Sequence, residues 1–148
     1  METLTARAST VQPIVERAMA ANRPIFLWGA PGIGKSELVE GIVEAHPGNN
    51  LMIDMRLALM EPTDLRGYPF RNPATNQMEW APAADLPTME QAELYDLIVL
   101  FLDELNSAPP SVQAAAYQLI LNGKIGQYEL PKNVRIVAAG NRETDRGV

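Results

Sequence analysis

Cysteine is absent from the chain. Disulfides and thiolate metal sites are thereby excluded, and the count fits a reducing compartment such as the cytoplasm. Histidine occurs once, at His46, so clusters of imidazole ligands are excluded as well. No long hydrophobic run exists: the longest, Leu97 to Leu102, is far too short to span a bilayer, so no membrane partner is expected. The first dozen residues are polar and lack the apolar centre of a signal peptide. An excess of basic residues is also missing. The formal charge of −6 argues against a general nucleic-acid binder. What remains is 148 residues with 47% hydrophobic and 20% charged, the composition of one globular domain with a sizeable core.

Apolar periodicity divides the chain. Val11, Ile14, Val15, Ala18 and Met19 recur at helical spacing and predict a helix from Val11 to Ala21, with Pro13 in its first turn. Pro24 to Trp28 is a short apolar run and predicts a buried strand. Gly34 to Ala45 predicts a helix with Leu38, Val39, Ile42 and Val43 on one face; it stops at His46-Pro47-Gly48. Leu51 to Leu57 predicts a second strand, and Glu61 to Gly67 a short helix or turn. Tyr68 and Phe70 precede the turn Asn72-Pro73-Ala74-Thr75-Asn76, and Met78 and Trp80 follow it, which predicts a β-hairpin. Packing through cross-strand aromatic contacts is the plain reading of those side chains. Thr88 to Tyr95 predicts a weak helix, and Leu97 to Leu102 a strand buried on both faces.

Ser107 to Asn122 predicts the clearest helix, with Ser107 as its cap, Pro109 and Pro110 in its first turn and Gly123 at its end. Ile125 to Leu130 predicts a second small hairpin, and Val134 to Ala139 a fourth strand. Strands alternating with helices imply an α/β fold: a parallel sheet of about four strands flanked by helices, with one or two inserted hairpins.

Three motifs carry chemistry. Gly29-Ala30-Pro31-Gly32-Ile33-Gly34-Lys35-Ser36 matches G-x-x-x-x-G-K-[S/T] at every defined position. Phosphates need several inward-pointing backbone N–H groups. Gly29, Gly32 and Gly34 remove side chains that would block them, and the helix that follows offers its N-terminus to the anion. Lys35 suits the β- and γ-phosphates and Ser36 suits Mg²⁺. The ligand expected is a nucleoside triphosphate, ATP with Mg²⁺. The plain alternative is a glycine turn between strand and helix, which has no need of a Lys-Ser pair at that offset. In the second motif, the strand Leu97 to Leu102 ends in Asp103 and Glu104, placing two acids at the carboxyl edge of the sheet, where ligands of doubly wound folds bind. Asp103 suits the Mg²⁺ water shell and Glu104 the attacking water. The alternative is an acidic flank for the next helix. The third is Asn141, just past the fourth strand, which is placed to touch the γ-phosphate or the water; by position alone it reads equally well as a turn asparagine.

Taken together, GAPGIGKSE at Gly29 to Glu37, LFLDELNSAPPSVQAAAYQLI at Leu100 to Ile120, VAAGNRETD at Val137 to Asp145, and Met60 to Pro69 resemble the AAA+ superfamily of ATPases, P-loop NTPases, and within it the MoxR-like branch. The resemblance runs from about Val11 onward. It implies that Lys35 and Ser36 are Walker A residues, that Gly29 to Glu37 and Asp103 hold the nucleotide, and that Ser36 and Asp103 hold the metal. It further implies that Asp103 and Glu104 are Walker B and that Asn141 is sensor 1, so that Glu104, Asn141 and Lys35 form the catalytic set. Full-length relatives imply a homo-oligomeric ring, a hexamer, in which the two hairpins face a central pore and a protein client is remodelled. The family continues past sensor 1 with an arginine finger, a fifth strand beside the first, and a helical lid. None of these lies before Val148, and Arg142 and Arg146 do not match the finger's motif. The expectation is therefore that residues 1–148 are the N-terminal part of an AAA+ core, a partial product with Pro24 to Trp28 as an open edge. Hydrolysis would then be slow, since a missing arginine finger costs about 10³ to 10⁵ in rate. Two other readings stay open: a nucleotide-binding regulatory or assembly module with little turnover, and a small-molecule kinase, for which no lid arginines are seen.

Overall fold

A computed structural model describes residues 8–29 and 34–141 of the chain. Its frame is a four-stranded, all-parallel sheet made of β1 (Ile25–Trp28), β2 (Asn50–Arg56), β5 (Leu97–Asp103) and β8 (Val134–Gly140), in the order β1-β8-β5-β2. Each crossover between parallel strands needs a covering element. Helices α1 (Ala8–Ala20) and α2 (Lys35–Ala45) lie on one face and α5 (Pro110–Asn122) on the other. Short helices α3 (Thr63–Arg66) and α4 (Met89–Glu93) complete the chain, with hairpins β3 (Tyr68–Asn72)–β4 (Gln77–Ala81) and β6 (Lys124–Ile125)–β7 (Tyr128–Glu129).

The core follows from strand alternation. On β5, Ile98, Leu100 and Leu102 pack with Val112, Ala116 and Leu119 of α5, whereas Leu97, Val99 and Phe101 pack with Val15, Val39 and Ile42 of α1 and α2. A strand with a helix layer on each face needs apolar residues at every position, which is why β5 reads as one continuous apolar run. Strand β8 alternates in the same way, with Ile136 and Ala138 on one face and Val137 and Ala139 on the other.

Four expectations change. Helix α1 already includes Ala8, so Pro13 lies beyond the first turn and forgoes an internal i→i−4 bond. The cap position of α5 is Pro109, and Ser107 instead closes a 3-10 turn from Leu105 to Ser107. Leu57 belongs to another 3-10 turn, Leu57–Leu59, and not to β2. The hairpin register also removes the cross-strand aromatic pairing. Tyr68 faces Ala81 and Phe70 faces Glu79, while Trp80 faces Pro69 and Met78 faces Arg71. Paired residues share a face, so Tyr68 and Phe70 lie opposite Met78 and Trp80. Tyr68 and Met78 are consequently 61% and 65% exposed. Strand β1 pairs with β8 alone among the described strands and forms one edge of the sheet. No helix among the described residues is long and apolar enough to cross a membrane.

Candidate functional site

All four strands run the same way, so their carboxyl ends share one edge. Trp28 lies beside Gly140, and Arg56 beside Asp103. Onto this edge open the loop after β1, the acid pair after β5, Asn141 after β8 and the end of β2. The central loop residues Ala30, Pro31, Gly32 and Ile33 lie outside the described residues, as do Arg142 and Arg146. The two ends of the loop are described. Gly29 is tied to the neighbouring strand by its N–H, which donates to the Gly140 carbonyl at 3.1 Å. Gly34 takes φ +83, a left-handed conformation that L side chains seldom adopt, and its carbonyl accepts the Leu38 N–H at 2.8 Å to start α2.

Lys35 is the first residue of α2. Its ammonium group donates to the Gly29 carbonyl at 2.7 Å and to the Asn141 side-chain oxygen at 2.8 Å. Residues 106 positions apart thus meet at one cation. Ser36 donates its hydroxyl to Asp54 Oδ2 at 3.3 Å. Glu37, in the first turn of α2, is exposed. Asp103 ends β5 half-buried and accepts the Glu104 N–H at 2.8 Å. Glu104 has φ 58 and ψ 35, a left-handed conformation that costs a non-glycine residue about 1–2 kcal/mol. Such strain is concentrated at sites where the chain must turn sharply for function.

Two residues of this edge escaped the sequence reading. The first is Asp54, on β2. Burial pushes its pKa up, the Ser36 hydrogen bond lowers it, Asp103 raises it and Arg56 lowers it. Its signal was an acid near the carboxyl end of the predicted strand LMIDMRL. The second is Asn106, two residues past the acid pair. Its side-chain amide donates to the Asn141 carbonyl, and its side-chain oxygen accepts the Asn141 N–H at 3.0 Å. That clamp fits only beside glycine, because a Cβ at Gly140 would meet Asn106 Oδ1 at 2.5 Å. Asn106→Ala is expected to destabilise the chain by about 1–3 kcal/mol, as two backbone-directed hydrogen bonds are lost and a half-buried N–H is left unmet. A urea melt reads this directly; an unchanged midpoint and slope would count against the clamp.

The donors at this edge are hard oxygens and one ammonium, a set that suits triphosphate and Mg²⁺. Among the described residues no group of three or more His, Cys, Asp or Glu could hold a metal alone. Mg²⁺ does not need one, since it keeps waters and phosphate oxygens as ligands beside one or two protein groups. A separate cleft of about 560 Å³ lies at the opposite, amino end of the sheet, where Leu97 starts β5; His46 lines it and borders the Pro47 carbonyl at 3.0 Å.

Comparison with known proteins bears on the fold and the family. The solved structure of a candidate ATPase from Cytophaga hutchinsonii superposes with a TM-score of 0.57 at 17% identity, covering 91% of this chain and 38% of that one, a likeness of fold. Midasin of Giardia intestinalis is 35% identical over 99 residues, which is 66% of this chain; the match spans only 2% of midasin's length. The family described as AAA domain (dynein-related subfamily) matches residues 24–148. With that match covering most of its length, the chain belongs to the AAA domain family, dynein-related subfamily, among the AAA+ ATPases.

Proposed function

We propose that the chain binds and hydrolyses ATP with Mg²⁺, and that turnover drives the remodelling of a protein partner, as the MoxR-like resemblance of Met60 to Pro69 and Leu100 to Ile120 implies. The observation that carries the proposal is the meeting of Lys35 with Gly29 and Asn141, beside Asp103 and Glu104, at one sheet edge. In this reading Gly29 to Glu37 cradles the phosphates. Lys35 carries the charge against the β- and γ-phosphates, exchanging part of its present contacts for them. Ser36 and Asp103 would hold Mg²⁺, which supplies charge neutralisation along the triphosphate. Glu104 orients and polarises the attacking water, and Asn141 positions it.

Residues 1–148 would form part of the AAA+ core in each subunit of a cytoplasmic, homo-oligomeric ring, a hexamer by family resemblance. The exposed side chains of hairpin β3–β4, Tyr68, Phe70 and Met78, would then meet the partner. The test is calorimetric titration with Mg-ATP together with steady-state phosphate release. Saturable binding with release above background is expected. Binding with release at background would reduce the chain to a nucleotide-binding module, and no binding would refute the proposal.

A further inference from the structure

The row Met52, Asp54, Arg56 on β2 pairs with Val99, Phe101 and Asp103 on β5. Partners in a parallel pair project to the same face, and this is the face that α2 covers, with Met52, Val99 and Phe101 in the α1–α2 cluster. Ile53 and Met55 project to the other side and join the α5 cluster. The row opens to solvent at its carboxyl end, where Asp54 and Arg56 are exposed. Asp54 Oδ2 lies 3.3 Å from the Ser36 hydroxyl, and Arg56, two positions further along β2, pairs with Asp103 on β5.

We propose that Asp54 is a positioning residue of the cation subsite: it takes the Ser36 hydroxyl proton in a hydrogen bond and so turns a serine lone pair toward Mg²⁺. This rests on the assignment of Ser36 and Asp103 to the metal. A hydroxyl has one proton and two lone pairs. To ligate a cation through oxygen, the proton must point elsewhere, and a rotor without a fixed acceptor is oriented only at an entropic cost. Partners of this kind, one step behind the ligand, typically contribute 10- to 100-fold to metal affinity, an order-of-magnitude figure of about 10–100.

The experiment titrates ATP calorimetrically into the full chain, with EDTA and with saturating Mg²⁺, for wild type, Asp54→Ala, Asp54→Asn and Ser36→Ala. Wild type should gain affinity with Mg²⁺. Asp54→Ala should lose about tenfold or more of that gain, with EDTA affinity unchanged or tighter. Asp54→Asn keeps an oxygen that accepts the hydroxyl proton and should hold the gain to within about threefold. Ser36→Ala removes the ligand itself and should lose at least as much as Asp54→Ala, and the double variant should lose no more than Ser36→Ala, because Asp54 acts through that hydroxyl. A wild-type Mg²⁺ gain in Asp54→Ala, or additive losses in the double variant, overturns the role of Asp54 alone. A wild-type chain without ATP binding, or without a Mg²⁺ gain, overturns the nucleotide site on which the proposal rests. Should Asp54→Ala fold poorly, Asp54→Leu, which also lacks an acceptor but keeps side-chain bulk at this exposed position, carries the test and should lose the gain likewise.

Discussion

Lys35→Ala should abolish measurable Mg-ATP binding. The ammonium at the start of α2 already sits on two oxygens, Gly29 O at 2.7 Å and Asn141 Oδ1 at 2.8 Å. Its position is set by the strand ends β1 and β8, which hydrogen-bond to each other through Gly29 N–H and the Gly140 carbonyl. A bound triphosphate would offer charged acceptors in place of neutral ones. Hydrogen bonds to charged groups contribute about 1.5–3 kcal/mol each, so the loss of two is ~3–6 kcal/mol. At about 1.4 kcal/mol per tenfold, Kd rises by roughly 10²–10⁴. Lys35→Arg keeps the charge on a planar fork that does not fit the same pair of acceptors and should fall between the two. Titration calorimetry checks this, with a thermal melt to show that the variant is folded. Wild-type affinity in folded Lys35→Ala would remove the phosphate role from Lys35.

The frame of the fold was legible because its signals are large. The continuous apolar run of β5 has one explanation in a layered α/β protein, burial on both faces, and both helix layers are present. The glycine-rich loop and the acid pair announced themselves by residue type, and parallel strand order then required Gly29, Lys35, Ser36, Asp103, Glu104 and Asn141 to share an edge. What stayed hidden depends on strand order and register, which the sequence does not print. Asp54 in LMIDMRL has no visible partner until β2 is paired beside β5 and its side chain meets Ser36. Asn106 has no visible partner until β8 places Asn141 beside it. The aromatics around the hairpin turn were at the right spacing for a hairpin but in the wrong register to touch, and register is set by the turn rather than by the flanking side chains. Ser107 has the right residue type for a cap, yet Pro109 and Pro110 start the helix later and leave it in the turn before.

Glu104→Gln should separate binding from turnover. The substitution keeps side-chain length and hydrogen-bonding capacity but removes the charge that, in the proposed function, polarises water. The backbone has little reason to move, since φ 58 at this position is held by neighbours that the side chain does not control: the Glu104 N–H donates to Asp103 Oδ1, and its carbonyl accepts the Ser107 N–H at 3.1 Å. Asp103 stays at the end of β5 in either variant, so Mg-ATP affinity should change by no more than about threefold. Turnover should fall by about 10²–10⁴, the usual contribution of a positioned general base. Because the same left-handed turn fixes where Glu104 points, Glu104→Gly should lose as much turnover while relieving about 1 kcal/mol of backbone strain. Single-turnover phosphate release from pre-bound Mg-ATP, set beside urea melts, measures both quantities. Equal release rates in wild type and Glu104→Gln would remove Glu104 from the chemistry and return the acid pair to the role of a charged flank for the turn before α5.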